Sequence, residues 1–216
     1  MTAETSSRIA AARPADHDAG SFGPFGSGWA AAEAVEAALQ PTPLDAQPSA
    51  YVQTAWANRR HGVTPSARVA AAVADGVLRV RVQWAASSPR PAITDNNVFA
   101  DACALLFPLD GKQAELMTMG DADHPVRAWH WRAGTPDPFV LTATGLGTTS
   151  RQAMPRGVTV EAEWHAGEWA VVFSGALEAV GARSVPMGVA IWQGAAEERG
   201  GLAAHTPAWI TLELPR

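Results

Sequence analysis

The sequence contains a single cysteine, a single lysine and a single tyrosine among its 216 residues. One cysteine excludes an internal disulfide, a Cys-x-x-Cys redox pair, a zinc site made of several thiolates and a Cys-x-x-Cys-His attachment site for a cofactor. Cys103 lies within the apolar run 102–107, so we interpret it as a small core residue rather than a nucleophile. Neither disulfide chemistry nor thiol catalysis is therefore expected.

Positive charge is scarce too, because Lys112 is the only lysine and the 16 Lys and Arg residues are outnumbered by 21 Asp and Glu. Without a basic cluster, a nucleic-acid partner is not expected. No stretch approaches the roughly 18 uninterrupted apolar residues of a membrane-spanning helix, and the first residues lack a basic start followed by an apolar run. We expect a soluble protein with no membrane span and no export signal in this sequence.

Motifs for catalysis are absent as well. There is no Gly-x-Ser-x-Gly elbow, no His-Glu-x-x-His pair and no Gly-x-x-x-x-Gly-Lys phosphate loop. His124, His130 and His165 stand at spacings that fit no zinc pattern, and we interpret each as a surface or packing residue. Asp121 and Asp123 resemble the start of a calcium loop, but the residues after them supply no further alternating oxygen ligands. A catalytic chain is therefore not expected.

The composition nonetheless predicts one globular domain of substantial size. It is 47% hydrophobic and 17% charged, with nine Trp, and 216 residues suffice for a proper core. Residues 1–26 are rich in small and polar side chains, which is typical of a tail or an extended arm. Ser27 is placed to cap a short helix over residues 29–39. We therefore predict an N-terminal arm with a short helix, residues 1–49, followed by a main domain, residues 50–216.

From about residue 51 onward the hydrophobic period changes to two. Residues 78–84 alternate apolar and polar side chains, which predicts a strand. The Asp75-Gly76 pair before them is typical of a tight hairpin turn, which would join this strand to a preceding strand at residues 68–74. A second hairpin is predicted at residues 158–173, and shorter strands at residues 102–107, 128–132, 185–193 and 209–214. Regularly spaced antiparallel strands with few helices predict an all-β fold, an antiparallel β-sandwich with a few short helices.

Four stretches between about residue 50 and the C-terminus stand in a characteristic order. They are Phe99-Ala-Asp-Ala-Cys-Ala-Leu-Leu-Phe-Pro108; Met119-Gly-Asp with Pro125-Val126 and Trp129-His-Trp131; Trp164 to Phe173; and Val189-Ala-Ile-Trp-Gln-Gly194 with Glu198-Arg-Gly-Gly201. In this order and spacing the chain resembles the haem-binding gamma subunits of the ethylbenzene dehydrogenase and dimethylsulfide dehydrogenase family, which includes chlorate and selenate reductase subunits.

The resemblance implies a function as well as a fold. It implies a β-sandwich that holds one non-covalent haem b between a methionine and a second axial ligand, in a b-type cytochrome subunit without catalytic activity of its own. Electrons would pass between this haem and an iron-sulfur beta subunit, which is bound in turn to a molybdopterin alpha subunit, with a soluble cytochrome c as donor or acceptor. The family also implies a periplasmic location, although this sequence carries no export signal.

Axial ligands follow from the same resemblance. The family's methionine precedes a glycine, which maps it onto Met119 with Gly120; Met117 would lie on the same side of a regular strand, so alternation alone leaves it open. The family's second ligand is a lysine in the C-terminal segment, where this chain has none, and His205 is the strong iron ligand in residues 200–209. The prediction is therefore Met119/His205 coordination, with Met187, His124 and Lys112 as fallbacks.

Further contacts to the cofactor are predicted beside these ligands. Arg127, Arg132 and the loop 145–149 are candidates to bind the haem propionates, and Trp129 is expected to contact the haem. A six-coordinate iron leaves no open position for a substrate, which favours electron transfer over catalysis at the haem. The alternative is a carbohydrate-binding β-sandwich, since exposed Trp rings stack on sugars. An exposed platform of Trp would favour that alternative, whereas an internal slot would favour a porphyrin.

Overall fold

The computed structural model describes residues 7–13, 19–93, 95–96, 98–135, 138–153, 157–176 and 184–215, and within these ranges the chain forms two sheets. The larger sheet has the order β1 (Arg8–Ala10), β14 (Ile210–Glu213), β12 (Ser184–Trp192), β6 (Ala102–Pro108), β7 (Val126–Arg132), β8 (Phe139–Ala143) and β9 (Ser150–Ala153). β13 (Ala204–His205) also pairs with β12, and β3 (Gln40–Pro41) pairs with β13.

The smaller sheet has the order β10 (Thr159–His165), β11 (Glu168–Ala176), β5 (Val77–Ala85), β4 (Ser66–Ala74) and β2 (Ala34–Ala38). In the described ranges the only α-helix is α1 (Ala50–Trp56), and short 3-10 turns occupy Ala19–Phe22, Ser27–Ala31 and Gly194–Ala196. No helix among the described residues is long and apolar enough to cross a membrane. The predicted all-β sandwich with few short helices is confirmed.

The two hairpins lie where alternation predicted them. β4 and β5 are joined by Asp75 and Gly76, and β10 and β11 by Ala166 and Gly167, and all four turn residues have positive φ between 49° and 89°. Two consecutive residues with positive φ are the geometry that matches the right-handed twist of paired strands. The inward side chains of these hairpins, which include Val82 and Phe173, are buried in the core between the sheets.

The predicted helix over residues 29–39 is wrong. Only Ser27–Ala31 form a single 3-10 turn, and Ala34–Ala38 form β2, which pairs antiparallel with β4. The alanines of this segment favour a helix locally, but Ala37 is buried against the core and the strand satisfies its backbone groups by pairing with β4. Tertiary pairing therefore outweighs local propensity here.

Segments before residue 50 contribute to both sheets. β1 pairs in parallel with β14, and its central residue Ile9 is fully buried. β2 belongs to the smaller sheet and β3 extends the larger one through β13. These three segments pack with the sandwich rather than standing apart from it.

Candidate functional site

The outer face of the larger sheet, which points away from the smaller sheet, carries an apolar surface built largely from small residues. Side chains alternate along a strand, so residues paired across neighbouring strands share a face. One such row runs from His205 on β13 through Ala190, Ala104 and His130 to Phe139 on β8. Both alanines are buried, and His130 and Phe139 are the members of this row that line a cavity.

A cavity of about 270 Å³ lies over this face. Ala102, His130 and Trp192 contribute to its floor, and the loops 146–149 and 198–201 supply lining residues. Such a volume is just below the range of about 300–1,000 Å³ for small-molecule sites, which are typically concave and mostly apolar with a few polar groups. Because Met119 also lines the cavity, the structure brings the predicted methionine to a partly open, mostly apolar site.

Met119 is held over the floor by a tight loop. Its backbone N–H donates to the carbonyl of Leu116 at 3.0 Å, and the N–H of Gly120 donates to the carbonyl of Glu115 at 2.8 Å. Met119 has a φ of 59°, a left-handed conformation that costs a residue with a Cβ about 1–2 kcal/mol. The loop therefore holds this thioether side chain in place at a cost in backbone strain.

Gly120 is required by the geometry of that loop. Its φ is 82°, and a Cβ at this position would approach the carbonyl oxygen of His124 to 2.6 Å. Met117 is partly buried in the same loop but does not line the cavity. The structure thus separates the two methionines that strand alternation left open.

His205 lies on the same face, two strands from β6, but it does not line the cavity. Its side chain is buried, and its Nδ1 lies 2.9 Å from the carbonyl oxygen of Thr206. A carbonyl oxygen only accepts, so Nδ1 carries the proton and Nε2 presents a lone pair. That buried Nε2 has no hydrogen-bond partner among the described residues. Burial lowers the pKa of His205 below its ordinary value, which keeps the ring neutral.

His130 lines the cavity directly, although its spacing had indicated a packing or surface residue. Its ring stacks on Phe139 with centroids 4.5 Å apart and lies 5.1 Å from the ring of Trp192. Burial, with the nearby charges of Arg132 and Arg151, lowers its pKa to about 3. The buried Nδ1 has no partner in the part of the chain that the structure describes. The sequence signal for this position was alternation along β7, which puts His130 on the same face of the strand as the small residue Ala128.

The predicted cofactor contacts divide between the two faces of β7. Arg132 lines the cavity, as do Leu146, Gly147 and Thr149 of the predicted loop. Arg127 and Trp129 alternate with His130 and Arg132 along β7 and so lie on the inner face of the sheet. There the centroid of the Trp129 ring is 5.2 Å from that of Phe107. The structure therefore does not bring Arg127 and Trp129 to the cavity that Met119 lines.

The fallback ligands also lie away from the cavity. Met187 is fully buried in the core between the sheets. His124 forms an ion pair with Asp110 at 2.9 Å, and Lys112 lies in the exposed turn beside it. No group of three or more His, Cys, Asp or Glu side chains within the described ranges is arranged to hold a metal ion.

The tryptophans do not form an exposed platform. All nine lie within described ranges; eight are buried, and Trp164 is partly buried against the core. Trp84, Trp131 and Trp169 cluster between the sheets with ring centroids 5.0–6.4 Å apart. This arrangement lacks the Trp faces open to solvent that the carbohydrate-binding alternative needs. It also lacks the predicted internal slot, because the three rings pack on one another and Trp192 is the only one of the nine that lines the cavity.

Fold and site together define a two-sheet β-sandwich with an apolar cavity on one outer face. A solved structure of a putative carbohydrate-binding protein from Bacteroides uniformis has the same fold, with a TM-score of 0.55 at 9% identity, covering 98% of this chain and 100% of that one. The family model for ethylbenzene dehydrogenase matches residues 26–159. The chain therefore belongs to the ethylbenzene dehydrogenase family, and the predicted family is confirmed.

Two curated relatives agree with this assignment. The chlorate reductase subunit gamma of Ideonella dechloratans is 35% identical over 150 residues, which cover 65% of this chain and 62% of that protein. The putative respiratory nitrate reductase heme subunit ORF7 of Haloferax mediterranei is 29% identical over 142 residues, which cover 62% of this chain and 51% of that protein. The chain thus matches between half and two thirds of the length of these relatives.

Proposed function

We propose that this chain is the haem-binding electron-transfer subunit of a molybdenum oxidoreductase complex, and that it holds one non-covalent haem b with Met119 and His205 as axial ligands. Membership of the family and the names of the two relatives, a gamma subunit and a heme subunit, support the class of function. One structural observation carries the ligand set. The buried, unpaired Nε2 of His205 lies on the same sheet face as the Met119 that lines the cavity.

The donor set fits haem iron. The Nδ1–H of His205 donates to the carbonyl of Thr206, which is the tautomer that leaves Nε2 free for a metal and orients the ring. Met119 supplies a thioether, and thioether with imidazole is an established pair for low-spin electron-transfer haem. Burial keeps His205 neutral, so no proton competes for the nitrogen at neutral pH.

The surroundings of the two proposed ligands are largely apolar. Ala104 and Ala190 pair across β6 and β12, and with Leu116 of the Met119 loop they belong to one buried apolar cluster. Bound haem supplies a one-electron redox couple, and the apolar shell with a thioether ligand tends to raise its potential. If Met119 and His205 both held the iron, no open position for a substrate would remain, so the chain would transfer electrons without catalysing the reaction.

Partners and compartment belong to the same proposal. An iron-sulfur beta subunit and a molybdopterin alpha subunit are the proposed complex, with soluble cytochrome c as a further redox partner. The term subunit gamma in a relative's name supports an assembly of several chains. The periplasm is the proposed location, on the basis of the family resemblance.

The test is reconstitution of the purified chain with haemin. We expect one haem per chain and a low-spin Soret band, with a sharp α-band after reduction. Met119→Ala and His205→Ala should each abolish the six-coordinate low-spin spectrum. Met117→Ala is the matched control, since Met117 lies in the same loop outside the cavity, and it should leave the spectrum unchanged.

Three results would contradict the proposal at different levels. A wild-type chain that binds no haem would remove the function. A Met117→Ala variant that loses the low-spin spectrum while Met119→Ala keeps it would exchange the two methionines. A His205→Ala variant that keeps the spectrum would remove that ligand, and His130→Ala would then be measured because His130 lines the cavity.

A further inference from the structure

We propose that Arg132 and Arg199 bind the two carboxylates of the porphyrin, so that the haem lies with its propionate edge at the end of the cavity where β7 ends. This inference rests on the proposed function and assigns an orientation to the ligand. It differs from the prediction made from the sequence, because Arg199 had no assigned role there and Arg127 had one.

The two arginines reach the cavity from different elements. Arg132 is the last residue of β7 and lies on the same face as His130, whereas Arg199 belongs to the loop 198–201. The guanidinium of Arg199 lies 4.3 Å from the ring centroid of Phe99, another lining residue, and its Nη1 donates to the carbonyl of Glu197 at 3.0 Å. Its remaining N–H groups are available for a ligand.

Neither arginine has a carboxylate partner within the described ranges. The ion pairs found there involve Arg8, Arg59, Arg68 and His124. Glu198 also lines the cavity, but its two oxygens accept the backbone N–H groups of Val63 and Gln193, each at 2.8 Å. Two guanidinium groups without a carboxylate partner therefore lie beside apolar walls, and the acidic residue that lines the cavity, Glu198, is already bound by backbone N–H groups.

The electrostatic effect of this end of the cavity appears on His130. The charges of Arg132 and Arg151 add to burial in lowering the pKa of that ring. The guanidinium of Arg151 is 3.9 Å from the centroid of Phe139, which stacks on His130. Arg132 and Arg151 thus place positive charge near this ring, and positive charge favours an anionic group beside it.

A ligand that complements this site is flat and apolar with two carboxylates along one edge, and iron protoporphyrin IX has that form. Guanidinium groups bind carboxylates through short, charge-assisted hydrogen bonds. Arg127 cannot share this role, because it lies on the inner face of β7 with Trp129 and its Nε is buried.

The experiment compares haemin with haemin dimethyl ester, which keeps the ring and iron but lacks both charges. Equilibrium constants come from quenching of the tryptophan fluorescence, and rates of haem loss from transfer to apomyoglobin. For Arg132→Gln and Arg199→Gln we expect about fivefold weaker haemin binding each, and about twentyfold for the double variant. The dimethyl ester should bind the wild type and all three variants equally.

Two controls complete the design. Arg8→Gln removes a charge that pairs with Glu213 on the far edge of the sheet, and it should change neither porphyrin's affinity. Arg127→Gln tests the rival contact and should not weaken haemin more than the ester. The ester, measured on the same preparation of each variant, reports whether the apolar cavity is intact.

Each outcome decides the inference. Selective loss of haemin affinity at Arg132 and Arg199 supports it, and equal losses for haemin and its ester overturn it. Selective loss at Arg127 alone also overturns it. In both of these cases a low-spin spectrum in the wild type leaves the proposed function standing, whereas a wild type that binds neither porphyrin removes both.

Discussion

The left-handed backbone of Met119 leads to a prediction that separates stability from function. At a φ of 59°, a residue with a Cβ bears a strain of about 1–2 kcal/mol that glycine escapes. Replacing Met119 by Gly or by Ala removes the same side-chain contacts, so the difference between the two variants isolates the backbone. Glycine's larger entropy loss on folding, about 0.5–1 kcal/mol, offsets part of the gain. We expect Met119→Gly to be more stable than Met119→Ala by about 1 kcal/mol.

Urea unfolding of the chain without haem, followed by tryptophan fluorescence, measures this difference. The matched control is the same pair of substitutions at Met117, which has no positive φ. There the order should reverse, with Gly less stable than Ala by about 0.5–1 kcal/mol. Both Met119 variants should lack the low-spin haem spectrum. A Met119→Ala variant as stable as Met119→Gly would refute the idea that the loop is strained at this residue.

Two further predictions concern the acid range and the N-terminal strand. Burial lowers the pKa of His130 to about 3, so between about pH 6.5 and 3 only the unfolded chain takes up a proton at this residue. The free energy of unfolding therefore falls as the pH falls through this range. At pH 5 the loss from this one residue is about 2 kcal/mol. In His130→Phe the urea concentration at the midpoint of unfolding should change less with pH than in the wild type, and an equal change with pH would contradict this. Ile9→Ala should cost about 2–4 kcal/mol because Ile9 is fully buried, whereas Arg8→Ala beside it should cost under about 1 kcal/mol; equal small effects would show that β1 adds no stability.

Local patterns in the sequence were sufficient for the parts of the fold that depend on local geometry. The hairpins at residues 66–85 and 159–176 followed from alternation and from Asp75-Gly76 and Ala166-Gly167, because turn chemistry and register are specified by neighbours in the chain. The segment 29–39 was misassigned because its alanines suit a helix, and its partner β4 begins only at Ser66. Pairing over such a separation leaves no local signal.

The assignment of Arg127 and Trp129 as contacts illustrates a second limit. Both faces of β7 are largely buried, with Trp129 and Trp131 on one side and Ala128 and His130 on the other. Alternation therefore assigns the odd-numbered and even-numbered residues of β7 to opposite faces, but it does not indicate which face points toward the second sheet. The larger side chains fill the space between the sheets, and the smaller ones leave room on the outer face for a cavity.

His205 was selected from the sequence because it is the strong iron ligand in its segment, and the geometry adds an independent physical reason. The strand β13 is only two residues long, and the N–H of Thr206 donates to the carbonyl of Val189 at 3.0 Å. This short pairing leaves the Thr206 carbonyl where it accepts from Nδ1 of His205. Residue order alone cannot give a tautomer, since the proton's position depends on which acceptor the fold supplies.

The position of the cavity on the outer face of the larger sheet bears on the proposed electron transfer. A cofactor between the sheets would have a full sheet on each side, and packed sheets lie about 10 Å apart. On the outer face it would be covered by the sheet on one side and on the other only by the Met119 loop and the loops 146–149 and 198–201. Its edge would then lie near the surface, where it would be accessible to a redox partner of the proposed complex. The same openness would let Arg132 and Arg199 reach the ligand while their guanidinium groups stay near solvent, which avoids much of the cost of burying a charge.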